Sequence, residues 1–155
     1  MALRKGLAVA AASVAALVGV AAATASATPA SASAVQQQID AYISTHPEAR
    51  QIDADTLSIP GGTLTMPAPG FEPTGAAISC SSGHLCVQDG HGHLWDYYYC
   101  GLYDFNGTGD GVFNNNQTSG TVAKFYNSDG SLRWTNTAKD TGTASWTPVY
   151  QIRPC

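Results

Sequence analysis

Charged residues are scarce in this chain, and basic residues are the scarcer kind. Asp, Glu, Lys and Arg make up 12% of the 155 residues, which is about half of the usual quarter. Seven basic side chains occur beside eleven acidic ones, so the basic surface that nucleic-acid binding requires is absent. Because 44% of the residues are apolar, the chain is also not one kept disordered by its charge. These numbers predict a small folded protein that does not bind nucleic acid.

The sequence also lacks the short motifs of common enzymes. It contains no G-x-S-x-G, no H-E-x-x-H and no phosphate-binding loop. We therefore predict a protein that is not an enzyme, acts by binding and requires no cofactor.

Only one long apolar run occurs, and it lies at the N-terminus. The first six residues (MALRKG) are basic, residues 7–23 are apolar, and Ala25-Ser26-Ala27 fits the small-x-small rule of signal peptidase. Ala32 and Ala34 are later candidate cleavage positions in the same stretch. A membrane anchor is the alternative, but this Ala-rich run is short and weakly apolar for a stable span. We predict a cleaved signal peptide over residues 1–27 and a secreted, extracellular chain that does not contact a membrane.

All four cysteines lie in the predicted mature part. In an exported protein an even number of cysteines indicates disulfide bonds and not a metal site. Four cysteines allow three pairings, of which we favour Cys80–Cys86 with Cys100–Cys155. The first closes a short loop with Gly83 at its turn, and the second ties the last residue to the end of an aromatic strand. In the chain-entropy model the second bond stabilises the fold by about 4 kcal/mol.

The segment 28–79 precedes the first cysteine and has two parts. Residues 28–34 (TPASASA) are a low-complexity spacer. Apolar spacing then predicts a helix over 35–45, and two short strands are predicted at 56–59 and 62–66, on either side of a Pro-Gly-Gly turn. This leader is either a propeptide or accessory arm that packs on the domain, or a mobile extension without a role.

Residues 80–155 form the predicted domain, which we expect to build the core. Short β-rich runs alternate there with Gly, Asn and Asp clusters, and two of these turn clusters are residues 106–111 and 114–116. The predicted strands are Leu85–Gln88, Leu94–Tyr99, Thr121–Tyr126, Ser131–Thr135 and Thr147–Arg153. This spacing predicts an all-β fold, an antiparallel sandwich or barrel stapled by disulfides and preceded by a short α/β leader.

One combination of these features is distinctive. The opening Cys80-Ser-Ser-Gly-His-Leu-Cys86-Val, the aromatic strand, the Asn/Gly-rich loops and the terminal cysteine resemble the small secreted βγ-crystallin-like metallopeptidase inhibitors of mycelial Gram-positive bacteria. The resemblance covers about residues 80–155. It implies a βγ-crystallin-like Greek-key sandwich and a secreted metallopeptidase as the partner of a monomeric inhibitor.

A calcium pattern of the same fold family matches one segment. Its form is Asn/Asp-Asn/Asp-x-x-Ser/Thr-Ser, and the matching residues are Asn114, Asn115, Asn116, Gln117, Thr118 and Ser119. The resemblance implies the Asn116 carbonyl and the Thr118 hydroxyl as calcium ligands, because calcium takes oxygen ligands. The partner loop would be 127–131, which does not match the pattern. The alternative is a turn that satisfies backbone groups through its side chains.

Aromatic and histidine residues form two further candidate groups. Trp95, Tyr97, Tyr98 and Tyr99 alternate along one strand, so we expect one set in the core and the other exposed to bind a sugar ring or fill a peptidase subsite. The histidines of this region are His84, His91 and His93. His91 and His93 would share a strand face, which suits zinc or copper, but no third ligand at a defined spacing is evident, and His-Gly-His in a turn is more often an exposed polar loop.

Two functional hypotheses follow. The first is an inhibitor of extracellular metallopeptidases that inserts a rigid loop into the cleft of its target, with 102–113 or 84–95 as the reactive loop. The second is a calcium-stabilised structural or carbohydrate-binding module of the cell surface.

Overall fold

The structure, a computed structural model, describes residues 29–155. The predicted signal peptide lies outside the described residues. The chain begins there with helix α1 (Pro29–Thr45), which starts six residues before the predicted 35–45. The spacer alternates Ala with Ser, Ala has the highest helix propensity, and Pro suits the first helical position. The helix ends where predicted, because the next residue, His46, precedes Pro47 and a residue before proline disfavours the helical conformation.

Eleven strands follow the helix in the described part of the chain. They are β1 (Arg50–Gln51), β2 (Thr56–Ile59), β3 (Gly62–Thr65), β4 (Leu85–Gln88), β5 (Leu94–Tyr97), β6 (Tyr103–Asp104), β7 (Asp110–Asn115), β8 (Val122–Tyr126), β9 (Leu132–Thr137), β10 (Asp140–Ser145) and β11 (Gln151–Arg153). The chain is therefore mostly β, which confirms the predicted class.

The strands form two sheets in which every pair is antiparallel. The larger sheet has the order β1-β2-β3-β5-β4-β7-β10, and the smaller has the order β6-β11-β8-β9. The path of the chain repeats. β4 and β5 pair, β6 joins the other sheet, and β7 returns beside β4; in the same way β8 and β9 pair, β10 joins the other sheet, and β11 returns beside β8. Strands β4–β7 are one half and strands β8–β11 are the other. The third strand of each half, β6 or β10, belongs to the sheet of the other half.

The core lies where the inner faces of both sheets and helix α1 meet. It includes Trp95 and Phe113 of the larger sheet, Phe125 of the smaller sheet, and the fully buried Trp146. The Phe125 and Trp134 rings are stacked with centroids 3.8 Å apart.

The leader contributes directly to this core. Ile39 of α1, Leu57 of β2 and Leu64 of β3 are fully buried, and β3 pairs with β5 along its length. The expectation that residues 80–155 build the core alone is therefore too narrow. The accessory-arm interpretation describes the observed packing, because the leader extends the larger sheet and covers its inner face.

The sequence does not predict four of the strands, which are β1, β6, β7 and β10. Residues 110–115 form β7, although the sequence predicts turns at 106–111 and 114–116. Gly, Asn and Asp have low strand propensity, but Val112 and Phe113 are buried in β7. Tertiary packing therefore outweighs local propensity in β7, which pairs with β10 over six residues.

The cysteines form the pairs favoured from the sequence. Cys80 is bonded to Cys86 and Cys100 to Cys155, and the described residues include no free cysteine. Among residues 29–155, no helix is long and apolar enough to cross a membrane.

Candidate binding surface

The segment 98–102, named here the binding loop, is the most exposed apolar part of the domain. Strand β5 ends at Tyr97, and the alternation of buried and exposed residues ends with it. Tyr98 is 55% exposed, Tyr99 is 65% exposed and Leu102 is 48% exposed. A loop that displays two tyrosines and a leucine to solvent is a candidate contact surface for a protein partner.

The backbone of the binding loop is held at several points. The N–H groups of Tyr98 and Tyr99 both donate to the carbonyl of Gly61, at 2.9 and 3.0 Å. The Tyr103 hydroxyl donates to the Tyr99 carbonyl at 3.1 Å, and the Cys100–Cys155 disulfide fixes the middle of the loop. The loop is thus ordered before any partner binds.

Gly61, whose carbonyl accepts these two hydrogen bonds from Tyr98 and Tyr99, belongs to the leader. Its φ of +89° suits glycine and strains other residues. A Cβ at this position would lie 2.4 Å from the Tyr103 ring. The Pro-Gly-Gly turn of the leader therefore packs against the Tyr103 ring at a distance that only glycine allows.

A groove of about 390 Å³ lies beside the two tyrosines. It is lined by Ser58, Gly62, Thr63, His84, Asp96, Tyr98 and Tyr99. Strand register explains the polar lining, because Ser58 pairs with Thr63 and Thr63 with Asp96, which places all three on the outer face of the larger sheet. His84 Nδ1 lies 2.5 Å from Asp96 Oδ1, and the His84 ring packs on Tyr98 with centroids 4.8 Å apart.

The structure separates the four aromatic residues predicted to bind a ligand. Trp95 is 2% exposed and Tyr97 is fully buried, so neither can contact a surface ligand. Tyr98 and Tyr99 are both exposed, although strand alternation predicts that only one of them is. The difference arises because β5 ends at Tyr97 and the next two residues no longer follow the pleat.

In each of the two predicted reactive loops, half of the residues lie in paired strands. The range 102–113 includes β6 and most of β7, and its last residue, Phe113, is only 6% exposed. The range 84–95 includes β4 and the first half of β5. The strand residues of these ranges are held in a sheet, whereas residues 89–93 and 105–109 connect strands. The sequence signal for the exposed loop at 98–102 is the pair of tyrosines directly before Cys100.

Asp89 organises the turn that contains two of the histidines. Its buried carboxylate accepts hydrogen bonds from the N–H groups of His91 and His93, both at 2.9 Å, from Thr108 N at 3.2 Å, and from His93 Nδ1 at 3.2 Å. Burial raises the pKa of Asp89, but the bonds and charge of His93 and the backbone N–H groups outweigh it and lower the pKa below 3.8. The His91 and His93 ring centroids are 6.4 Å apart.

The three asparagines of the calcium-like segment donate hydrogen bonds within the fold. Asn114 donates to the Ile78 carbonyl and Asn116 to the Cys80 carbonyl, each at 2.9 Å. The Asn116 carbonyl accepts the Gly83 N–H at 2.8 Å, and Asn115 is fully buried. Thr118 and Ser119 are exposed. Residues 29–155 include no group of three or more His, Cys, Asp or Glu arranged to hold a metal ion. The calcium site stays a prediction.

Comparisons of the chain with protein-family models, with curated proteins and with solved structures find no match.

Proposed function

We propose that this protein is a secreted inhibitor of extracellular zinc metallopeptidases and that it binds its target through the binding loop. The observation that carries the proposal is the combination of exposure and order in residues 98–102. Tyr98, Tyr99 and Leu102 present apolar surface, while the disulfide and the hydrogen bonds to Gly61 hold their backbone. A preordered loop loses little conformational entropy on association, and exposed aromatic residues are frequent anchors of tight interfaces.

We also propose that the two sheets form the βγ-crystallin-like double Greek key that the resemblance in residues 80–155 implies. The repeated path supports this, because in each half the fourth strand returns beside the first. Fold alone does not establish function, so the inhibitor proposal rests on the binding loop and on the resemblance together. The two disulfides are compatible with an extracellular protein. We propose a monomer that is not an enzyme.

The test is an inhibition assay with the mature chain, residues 28–155, which includes the leader that contributes to the core. At concentrations stoichiometric with the peptidase, the protein is expected to slow a thermolysin-type zinc endopeptidase and to leave a subtilisin-type serine peptidase unaffected. If micromolar protein leaves a panel of secreted zinc peptidases fully active, the inhibitor proposal is wrong.

A carbohydrate-binding surface module is the second candidate, and the groove beside the binding loop favours it. Tyr98 and Tyr99 offer ring faces for stacking, while His84, Asp96 and Thr63 offer polar groups for hydroxyls. Affinity electrophoresis in gels that contain insoluble or soluble cell-wall polysaccharides tests this candidate. Retardation of the protein without peptidase inhibition would favour the module over the inhibitor.

A further inference from the structure

The longest connection between two strands of the described chain is the one from β3 to β4. It covers residues 66–84 and contains neither a helix nor a strand. Connections of this length without secondary structure are uncommon in a compact fold, and those that occur usually have a function or act as linkers. Residues 72–77 (EPTGAA) lie in its middle, and all of them except Pro73 are exposed. We name these six residues the linker.

The chain is held on both sides of the linker. Directly before it, the Phe71 ring packs on Gly92 of the turn between β4 and β5, where a Cβ would lie 2.3 Å from the ring. Directly after it, the Ile78 carbonyl accepts a hydrogen bond from Asn114 Nδ2 of β7 at 2.9 Å. The two ends of the linker are therefore fixed to the domain independently of each other.

Between these two anchors the linker has few contacts. Among residues 29–155, no hydrogen bond joins it to either sheet, and the Ala76 N–H lies 3.4 Å from Thr74 Oγ1 within the linker itself. Apart from its chain neighbours, no atom lies within 4 Å of the Cβ position of Gly75. A space of about 250 Å³ lies between residues 73–75 and strands β4, β7 and β10. Exposed segments of small and polar residues are preferred sites of proteolytic cleavage. This one can enter a peptidase cleft while all strands stay paired.

Cleavage of the linker would give two chains that stay together. Both disulfides lie within residues 80–155, so no covalent bond would join the leader to the domain. The noncovalent contacts would remain, because β3 pairs with β5 at four positions, and Ile39 and Leu64 of the leader are fully buried. All of these residues lie outside the linker. The leader would therefore keep its place in the core as a separate chain.

We propose that the linker is a processing site, in which a secreted endopeptidase with a pocket for small side chains hydrolyses one peptide bond between Thr74 and Ile78. Water supplies the hydroxyl to the carbonyl carbon and the proton to the nitrogen, so the cut ends are a carboxylate and an ammonium group. Thr, Gly and Ala side chains fit a small pocket, whereas the linker offers no Lys or Arg to a trypsin-type enzyme. The product is a two-chain protein, and this proposal does not depend on the inhibitor function.

The test is limited proteolysis of the folded mature chain, residues 28–155. An elastase-type serine peptidase, which accepts small side chains, is compared with a trypsin-type one, which requires Lys or Arg. The fragment masses are expected to place the first elastase-type cut between residues 74 and 78, and the trypsin-type enzyme is expected to cut much more slowly. Of the five basic residues of the mature chain, four lie in strands and Lys139 lies in the tight turn between β9 and β10. A first cut outside the linker, or equal rates for the two enzymes, would overturn the proposal.

The cut protein is then separated under two conditions. In native gel filtration both fragments are expected to elute together at the volume of the uncut protein. In a non-reducing denaturing gel they are expected to separate, because neither disulfide joins them. Fragments that elute apart under native conditions would contradict the two-chain product.

A double variant, Ala76→Pro with Ala77→Pro, tests the position of the cut. Proline fixes the backbone angle φ and has no N–H to donate to the peptidase, so this variant is expected to be cut at least about tenfold more slowly. Its melting temperature is expected to be unchanged, because no hydrogen bond joins the linker to the sheets of the described chain. Glu72→Gln is the control, since it alters the linker but leaves its cleavable bonds, and its rate should equal that of the unchanged protein. If the proline variant is cut between residues 74 and 78 as fast as the unchanged protein, the proposed site is wrong.

Discussion

At the scale of single residues, Asp89 is a buried polar group that holds several parts of the fold together. Its carboxylate satisfies three backbone N–H groups and the His93 ring while almost fully buried. Because its pKa is lower in the folded chain than in the unfolded one, folding is favoured when Asp89 is ionised. This contribution is complete above the ordinary value of 3.8 and is lost as pH falls through the lower folded pKa.

Asp89→Asn is therefore expected to lower the free energy of unfolding at neutral pH. An amide has one acceptor oxygen in place of two, and hydrogen bonds to a charged group contribute about 1.5–3 kcal/mol. Urea unfolding at pH 7 should give a loss of about 2 kcal/mol. As the pH falls below 3.8 and through the lower folded pKa of Asp89, the difference between the two proteins should shrink, and a loss that stays the same size over this acid range would contradict the role of the ionised carboxylate.

The calcium prediction also belongs to this scale. Thr118 and Ser119 are exposed, so replacing both by alanine removes two hydroxyls without opening the core. If the segment binds calcium, millimolar calcium raises the melting temperature of the unchanged protein by mass action and fails to do so for the double variant. Equal melting temperatures of the unchanged protein with and without calcium would leave only the turn-forming interpretation.

The aromatic residues illustrate what the sequence can and cannot predict at this scale. Alternation in a strand correctly predicts that Tyr97 and Tyr98 differ in burial. It does not predict the residue at which pairing stops, because that depends on Gly61 of the leader, whose carbonyl binds Tyr98 and Tyr99. Contacts between residues that are far apart in sequence decide which tyrosines are available.

At the scale of secondary-structure elements, the leader is the feature with the largest consequences. Leu64 of β3 lies opposite Trp95 of β5 and is fully buried. Leu64→Ala is expected to lower the free energy of unfolding by about 3 kcal/mol, because it removes buried methyl groups and leaves a cavity. Leu132→Ala is the control, since Leu132 is 54% exposed and its loss is expected to change stability little. Similar effects of the two substitutions in denaturant unfolding would contradict the leader's place in the core.

A substitution at Gly61, in the turn of the leader, tests whether this turn holds the binding loop in place. Gly61→Ala introduces strain at positive φ and a Cβ that meets the Tyr103 ring. Gly130→Ala introduces the same kind of strain at φ +77°, but no atom lies within 4 Å of its Cβ. Both variants should lose about 1 kcal/mol of stability from the strain. Only Gly61→Ala is expected to weaken peptidase inhibition as well. Equal inhibition by the two variants would show that the contacts of Gly61 do not position the binding loop.

Elements were predictable where local pattern and tertiary packing agree. The bounds of β2 and β4 match the prediction, because their apolar residues lie between clear turn signals. Strands β7 and β10 contain Gly, Asn, Asp and Thr, and they exist because they pair with each other and because β7 also pairs with β4. A single sequence does not display such pairing, so it predicts turns for the residues of low strand propensity in β7.

At the scale of the whole molecule, the leader and the domain form one structure that presents the binding loop. The larger sheet includes three strands of the leader, and the Cys100–Cys155 disulfide ties the loop to the last residue. The composition and the cysteine spacing predicted a small disulfide-bonded β-protein. They did not predict that the surface would be assembled from the turn of the leader and the end of β5, since this requires the pairing of β3 with β5.

The central claim is that the binding loop contacts the target peptidase, and one comparison of inhibition constants tests it most directly. Tyr99→Ala and Tyr150→Ala remove the same side chain at 65% and 52% exposure, one inside the binding loop and one outside it. Each is measured against the zinc peptidase that the unchanged protein inhibits most strongly. Loss of an anchor residue costs about 2 kcal/mol or more, so Tyr99→Ala should weaken inhibition by about 30-fold, and Tyr150→Ala should have little effect. Equal inhibition constants for the two variants would contradict the claim.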